Sequence, residues 1–578
     1  MTFFYEVILM TKKDVIQLLE RIATYMELKG ENTFKVSAYR KAAQSLEIDE
    51  RTLDEIDDVT ELKGIGKGVG EVINEYRETG ASSTLKALQG EVPEGLIPLL
   101  KIQGLGSKKI SKLYKELHIT DKASLQKACE AGKVSELSGF AKKTEQNILE
   151  AVKALGAKKD KYPIDLMRGL SREINHYLEQ LTDIEQFEVA GSFRRFKEQS
   201  KDLDYIISTT NLDRVQEQLL EIPNKVKEVA VGQTKISLEL TYDDETIGVD
   251  FRLIEPAAFY HTLQHFTGSK DHNIRIRQLA KERDEKISEY GIETASGELI
   301  QYQSEAEIYE HYGHDWIAPA LREDGSEFDK DLSDIIQLDD IRGDIHMHTT
   351  ASDGAMSLRE MVEANIAKGY EFMMITDHSR SLKVANGLST ERLLRQHEEI
   401  QQLNEEYPEI DIYSGTEMDI LPDGSMDYDD EMLAQLDYVI ASIHQSFNQS
   451  QEDIMHRLEQ ACRNPYVRHI AHPTGRIIGK RPGYEPDIEQ LCQLAEETGT
   501  VLEINANPKR LDLNAKVVRQ HPNLMLTINT DAHHTDHLEF MKYGVATAQK
   551  GFVQKSRVIN TFSREAFKDF VKGEKNKK

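Results

Sequence analysis

The chain has 578 residues, too many for one compact core, so three or four domains are expected. It carries 72 Lys and Arg against 100 Asp and Glu, a formal net charge of −28, which disfavours a polyanionic partner unless cations are gathered locally. No apolar run approaches the roughly 18 residues of a membrane span, and the opening FFYEVILM lacks the basic flank and cleavage pattern of a signal peptide. Cys129, Cys462 and Cys492 are the only cysteines and have no CxxC spacing, which excludes a disulfide framework or zinc ribbon. A soluble cytoplasmic protein is expected. Because Met10 precedes an amphipathic run, residues 1–9 read as an upstream start or an extension without a role.

Residues 10–160 read as short helices, with apolar spacings such as VIQLLERIATYMEL and little β-branched alternation. Over residues 1–160 Lys and Arg balance Asp and Glu, 25 against 25, and over residues 101–160 the count is 13 against 7. A weak repeat lies in this part: ELKGIGKGVGEVI, KIQGLGSKKISKL and a degenerate ELSGFAKKTEQNIL. Gly64, Gly66, Gly104 and Gly106 each belong to a turn that aims backbone N–H groups outward at a helix start, where the dipole favours an anion such as a DNA phosphate. A lone G-x-G is more often a helix C-cap. Two good copies with Lys67, Lys108 and Lys109 beside them favour phosphate binding.

Strand patterns begin after about residue 185, with FEVAGSF, LDYIIST, KISLELTY and IGVDFRLI mixed with helices, a palm-like α/β domain. The run GSFRRFKEQSKDLDYI holds a Gly191–Ser192 turn, the Arg194–Arg195 pair and a D-x-D. On a strand, residues two apart share a face, so Asp202 and Asp204 point the same way, and Asp250 stands in a further strand. Three such carboxylates suit two Mg²⁺ or Mn²⁺ ions that align a 3′ hydroxyl with an α-phosphate. From Glu323 to Asp340 eight acids fall in a stretch of weak periodicity, read as an acidic linker.

Seven strand-like segments then alternate with helical patterns: GDIHMHT, FMMITDH, DIYSGTEM, YVIASIH, RHIAHPTG, VLEINANP and MLTINTDAH. That rhythm predicts a barrel with its functional residues at the C-terminal strand ends. Twelve of the 19 histidines lie after residue 340. Nine candidate ligands fall at strand ends: His346, His348, Asp353, His378, Glu417, His444, His472, Asp531 and His533. Nine exceed what one ion can use, and a nitrogen–oxygen set without thiolate suits two or three Mn²⁺, Zn²⁺ or Fe²⁺ ions. Bridged ions of this kind activate water for attack on a phosphate ester.

The Gly-rich repeats resemble helix-hairpin-helix motifs. The order GSFRR, KDLD, VDFR and FTGSKDHNIRIR resembles family X nucleotidyltransferases over residues 10–325, and HMHTTASDG, TDH, GTEMD, SIH, AHP and TDAH resemble the PHP phosphoesterases over residues 341 to about 560. The resemblance to bacterial family X polymerases implies a multidomain chain. Its parts would be an N-terminal all-α helix-hairpin-helix domain at 10–90, fingers at 91–160, a palm at 161–260, a thumb at 261–322, the linker at 323–340 and a distorted (β/α)7 PHP barrel at 341–578. It implies that Gly191, Ser192 and Arg195 hold the triphosphate of a dNTP while Phe266, Gly268 and Asn273 line the nucleotide pocket. Asp202, Asp204, Asp250, His346, His348, Glu417 and His444 would carry catalysis. Gapped or primed DNA is the implied partner, a monomer the expected state, and 3′ to 5′ exonuclease action with gap filling in base-excision repair the implied function. Cleavage at abasic sites is a further implied activity. Two positions depart from the family pattern: His265 replaces the usual Tyr of the sugar-reading pair, and Val72 stands where lyase members carry the Schiff-base Lys, leaving Lys41 or Lys67 as substitutes. The alternative for the barrel is a small-molecule phosphatase of the histidinol-phosphatase type.

Overall fold

A computed structural model describes residues 12–48, 53, 56–102, 105–154, 159–573 and 575. The chain divides into two compact units, Met1–Ala157 and Lys158–Lys578. The expected choice between Met1 and Met10 falls outside the described residues.

Among its described residues, the first unit contains seven α-helices and no strand. Its apolar positions separate into two cores. Leu19, Ile22, Leu46, Ile65 and Ile73 belong to one. Leu96, Leu99, Ile110, Leu113 and Leu125 belong to the other. Val72 is only 7 % exposed and packs in the first core, so an apolar side chain there fills volume.

The second unit begins with a five-stranded sheet. Its strand order is Gln186–Val189, Asp202–Ser208, Glu245–Ile254, Lys235–Tyr242 and Lys225–Val231. The strand Glu245–Ile254 alternates half-buried and buried residues along most of its length, the period-2 signature of a sheet with one covered face. Helices Phe259–Thr267 and Lys270–Glu282 follow, then a small antiparallel sheet of Lys286–Ser288, Gly291–Glu293 and Leu299–Ile300. Ile276, Ile292, Ile308 and Tyr309 form the core there.

The barrel strands are Gly343–Asp344, Phe372–Ile375, Asp411–Asp419, Tyr438–Ser442, Val467–Ile470, Val501–Asn505 and Leu526–Asn529, all parallel and in sequential order. A parallel bridge between Met347 and Ala532 brings the last strand back to the first and nearly closes the ring. Strands such as Phe372–Ile375 and Leu526–Asn529 are buried at every position, as parallel strands covered on both faces must be.

The segment expected to be an acidic linker is packed instead. Glu327, Phe328, Ile335 and Ile336 are buried, and Glu327 meets His272 Nδ1 at 2.6 Å. Its weak periodicity reflects short 3₁₀ turns, Ser326–Asp329 and Leu338–Asp340: Asp340 caps its own turn, while Glu327 and Asp329 reach His272 and Arg275. A single hydrophobic cluster runs from Tyr162, Ile164 and Leu253 of the palm region into Met418, Tyr484 and Tyr543 of the barrel region. The two regions therefore share one core.

Candidate active sites and metal centre

In the first unit, Gly66 and Gly106 occupy the N-cap positions of helices Lys67–Thr79 and Ser107–Leu117, and neither cap supplies a side-chain hydrogen bond to the first turn. Those N–H groups are left for an outside acceptor. Gly66 and Gly68 are exposed, and a Cβ on either would meet nothing within 4 Å, so a phosphate has room to approach. Gly64 precedes the turn with φ +109°. Lys108 is 73 % exposed and lies 3.9 Å from Glu27 Oε1. Gly104 falls outside the described residues.

The palm acids converge through strand register. Strands Asp202–Ser208 and Glu245–Ile254 run parallel with Asp204 opposite Asp250, while Asp202 stands on the same face two residues earlier. Burial, then the neighbouring Asp202 and Asp250 carboxylates, push Asp204 up to about 6. Burial, followed by Asp250, also raises Asp202. Mutual repulsion of this kind is relieved by cations. Lys235 Nζ supplies one, 2.6 Å from Asp250 Oδ2. Divalent ions fit the same donor set of hard carboxylate oxygens.

Gly191 starts the short helix Gly191–Arg194 at φ +65°, and a Cβ there would collide with Asp204 Oδ2. Ser192 Oγ donates to Ser200 Oγ at 3.0 Å. Arg195 donates to the Thr267 carbonyl and lies 3.7 Å from Glu323 Oε1. Phe266 stacks under the Arg252 guanidinium at 3.7 Å, Asn273 Nδ2 donates to the His265 carbonyl at 2.7 Å, and Gly268 approaches Arg195 closely enough that a Cβ would lie 3.3 Å from its Nη1. These contacts tie the nucleotide-pocket candidates to one another and to the strand that carries Asp250. Lys235 and Arg252 were not singled out from sequence, because lone cations on strands carry no spacing signal.

The nine candidate ligands of the barrel come together. Three overlapping groups have their ligand atoms within 4.8 Å of one another: His348, Asp353, His378 and His533; His346, His348 and Glu417; and His378, Glu417 and His444. His472 Nε2 reaches Glu417 Oε1 at 2.7 Å, and Asp531 Oδ1 lies 3.2 Å from His348 Nε2 and 3.6 Å from His346 Nε2. Glu417 is at the middle, touching five histidines.

Among the described residues, His346 Nε2, both ring nitrogens of His348 and His378 Nδ1 are buried without a hydrogen-bond partner, and all belong to this cluster. Such orphans are expensive unless a cation takes them, so the residues fit divalent metal. The electrostatics agree. Burial by itself raises Glu417, but His444, His378 and His346 hold it well below the usual carboxylate range. Burial, then His533 and His378, lower His348 to about 4, which keeps its imidazole neutral and able to ligate.

Three supporting residues escaped the sequence reading. Glu503 accepts from His346 Nδ1 at 2.8 Å and from the His472 backbone N–H at 2.7 Å. Asp419 receives His444 Nδ1 at 3.2 Å, and Arg510 Nε lies 3.5 Å from Asp531 Oδ2. A charged residue inside an otherwise apolar strand, as in VLEIN, was the available signal for Glu503.

Family models match the chain in four places: a helix-hairpin-helix domain over residues 10–82, a SAM-like helix-hairpin-helix tandem over 96–154, the DNA polymerase beta thumb over 262–323 and the PHP domain over 344–507. A protein of Bacillus subtilis (strain 168) named DNA polymerase/3'-5' exonuclease PolX is 54% identical over 568 residues, covering 97% of this chain and 100% of its own. A probable phosphatase of Acetivibrio thermocellus is 33% identical over 166 residues, 28% of this chain and 64% of its own. A probable phosphatase of Thermoanaerobacter sp. (strain X514) is 27% identical over 247 residues, 40% of this chain and 96% of its own. No helix among the described residues is long and apolar enough to cross a membrane.

Proposed function

Since the chain belongs to the PolX family of DNA polymerases with a PHP domain, we propose that it extends DNA 3′ ends at Asp202, Asp204 and Asp250 and shortens them at the barrel cluster around Glu417. The observation that carries this reading is that both donor sets are complete within one compact unit. Asp202, Asp204 and Asp250 would hold Mg²⁺ or Mn²⁺, and the barrel ligands two or three Mn²⁺, Zn²⁺ or Fe²⁺ ions. When bound, such ions neutralise phosphate charge and lower the pKa of a coordinated water or hydroxyl.

The chain's own residues do the rest. Ser192 and Arg195 grip the triphosphate, and Gly191 leaves room for Asp204 beside it. Phe266, Gly268 and Asn273 line the sugar and base side, where Asn273 Nδ2 donates to the His265 carbonyl. Glu503 and Asp419 fix the rings of His346 and His444 by accepting from their Nδ1 atoms, which turns Nε2 toward the centre. His444 and Glu417, with His378, would hold one of those ions. The helix starts at Gly66 and Gly106, with Lys108, hold backbone phosphates of the gapped or primed duplex without reading sequence. Gap filling in base-excision repair by a cytoplasmic monomer is the physiological setting we assign. Abasic-site cleavage is not placed at Val72, which is buried in the core.

The test follows a 5′-labelled primer on a one-nucleotide gap, with and without dNTPs. The expected result is that Asp202→Ala/Asp204→Ala loses extension only and His346→Ala/His348→Ala loses shortening only. Persistent shortening in the histidine variant would move trimming away from the barrel. The partial matches to probable phosphatases, over 28% and 40% of this chain, favour a second reading for the barrel, hydrolysis of a small phosphomonoester. Comparing histidinol phosphate with a 3′-recessed oligonucleotide decides between them.

A further inference from the structure

Two loops at the C-terminal end of the barrel stand apart in charge from the rest of it. Residues 341–578 hold 27 Lys and Arg against 37 Asp and Glu, an acidic balance. The loop after strand Val467–Ile470 nevertheless reads TGRIIGKRP over 474–482, and the loop after strand Val501–Asn505 reads ANPKRL over 506–511. Those two stretches carry Arg476, Lys480, Arg481, Lys509 and Arg510 and no acid, and the acids in the rest of the two loops are Glu485, Asp487 and Asp512, the last buried and held by Thr474.

The two loops form one platform. Ile478 N–H donates to the Lys509 carbonyl at 2.8 Å, and Arg476 Nε donates to the Arg510 carbonyl at 2.9 Å. Arg481 is braced by two bonds to the Gly475 carbonyl, at 3.1 and 2.8 Å, and lies 4.4 Å from the Phe447 ring centroid. The inner end of the platform is the metal centre itself. His472 begins the first loop, and Arg510 Nε reaches Asp531 Oδ2 at 3.5 Å. The outer end abuts the palm region, where a Cβ on Gly479 would come within 2.9 Å of Pro163. Lys480 and Lys509 are exposed, and among the described residues neither ammonium group has an ion-pair partner. Unpaired cations beside a centre built for phosphate chemistry, on an otherwise acidic domain, match a polyanion that ends at that centre.

We propose that this two-loop platform binds the backbone phosphates of the DNA strand whose 3′ end is being trimmed, with Arg510 nearest the reacting phosphate and Lys509 and Lys480 on the phosphates that follow. The proposal rests on the reading of the barrel as the DNA-trimming site. It assigns the substrate preference of that site to a longer single strand over a small ester, through charge rather than through the metal ligands.

The test uses the full-length protein loaded with Mn²⁺ and the variant Lys480→Ala/Lys509→Ala, whose side chains are exposed and whose thermal melt should match the wild type. Shortening of a 5′-labelled oligothymidylate is followed at several salt concentrations beside hydrolysis of bis(p-nitrophenyl) phosphate. The expected result is a several-fold higher KM for the oligonucleotide. Its log–log salt slope should fall by about 1.4, two lost contacts at ~0.7 each for single strands, with the small ester unaffected. Equal loss on both substrates, or an unchanged KM and slope on the oligonucleotide, would overturn the platform while leaving the trimming site in place. A wild type that hydrolyses the small ester but does not shorten the oligonucleotide would instead overturn the trimming reading, and the platform with it.

Discussion

Glu198 and Arg476 form a bidentate ion pair, Nη2 to Oε1 at 2.7 Å and Nη1 to Oε2 at 3.1 Å, between residues 278 positions apart. Glu198 follows the turn that carries Ser192 and Arg195, and Arg476 follows the metal-ligand candidate His472 by four residues. Neighbouring contacts repeat the link: Phe196 meets Tyr543 edge-on at 5.4 Å, and Glu323 joins Lys197 to Lys550. The polymerase turn is therefore braced against the barrel by three consecutive residues, 196–198.

Removing that brace has a defined cost. Arg476→Ala leaves Glu198 without its fork partner and frees the carbonyls of Arg510 and Leu511. The pair is only partly buried, at 18 % and 39 % side-chain exposure, so solvent screening limits the loss to about 1–2 kcal/mol. A double-mutant cycle with Glu198→Gln, read by chemical denaturation, should give a coupling of roughly 0.5 kcal/mol or more. Additive effects would mean that the pair bears no load. The Lys substitution should not rescue it, since an ammonium cannot make the two parallel bonds.

Gly191→Ala should abolish extension without touching trimming. Its φ of +65° already disfavours a side chain by about 1 kcal/mol, and the new Cβ would collide with Asp204 Oδ2. The Asp204 carboxylate must then swing away from its place beside Asp202 and Asp250. Primer extension should fall by about two orders of magnitude or more, as expected when a catalytic group is displaced by roughly 1 Å, while the 3′-shortening rate of the same preparation stays at the wild-type level. Retained extension would show that Asp204 tolerates the displacement.

Glu503→Gln tests the support beneath the metal ligands. Glu503 receives His346 Nδ1, the His472 backbone N–H and Asn529 Nδ2, the last at 3.0 Å, so an amide in its place turns one acceptor into a donor facing donors. Loss of such a partner weakens metal binding about 10–100-fold. The expected outcome is a variant that needs more Mn²⁺ for half-maximal trimming and holds less metal after dialysis, with extension unchanged. Equal metal content and equal Mn²⁺ dependence would assign Glu503 a packing role alone.

The barrel was legible because its signal is local: six of the seven strand segments are short apolar runs that lead into a ligand candidate, and parallel strands buried on both faces must read that way. Asp202 and Asp204 were legible for the same reason, through a period of two. Glu503, Asp419, Lys235 and Arg252 were not, since each acts on a residue far along the chain or on another strand, and nothing in their own neighbourhood states the partner. The acidic segment 323–340 misled in the opposite direction. Its composition reads as solvated, yet Glu323 and Glu327 find Lys197, Lys550 and His272, groups that lie 55 to 227 positions away.

The buried cluster of Glu305 gives the chain an acid-sensitive point. Glu305 receives Arg194 Nη1 and Nη2 at 3.1 and 2.7 Å and Arg322 Nη1 at 2.6 Å. Burial would raise its pKa, but the Arg322 and Arg194 cations overcome that and bring it down to about 2 from an ordinary 4.5. A depressed carboxyl stabilises the fold fully above its unfolded pKa, and that contribution is lost as pH falls from about 4.5 toward 2. The shift corresponds to about 3 kcal/mol at neutral pH. Glu305→Gln removes the carboxylate and strands two arginines, so its Tm should lie below the wild type at pH 7, and the gap should narrow as pH is lowered from about 5 to about 3. Because Arg194 also donates to Thr267 Oγ1 at 2.8 Å, the variant should raise the KM for dNTP as the neighbouring Arg195 loses its support. A Tm gap that stays constant across that pH range would show that the stabilisation comes from the shape of the cluster and not from its charge.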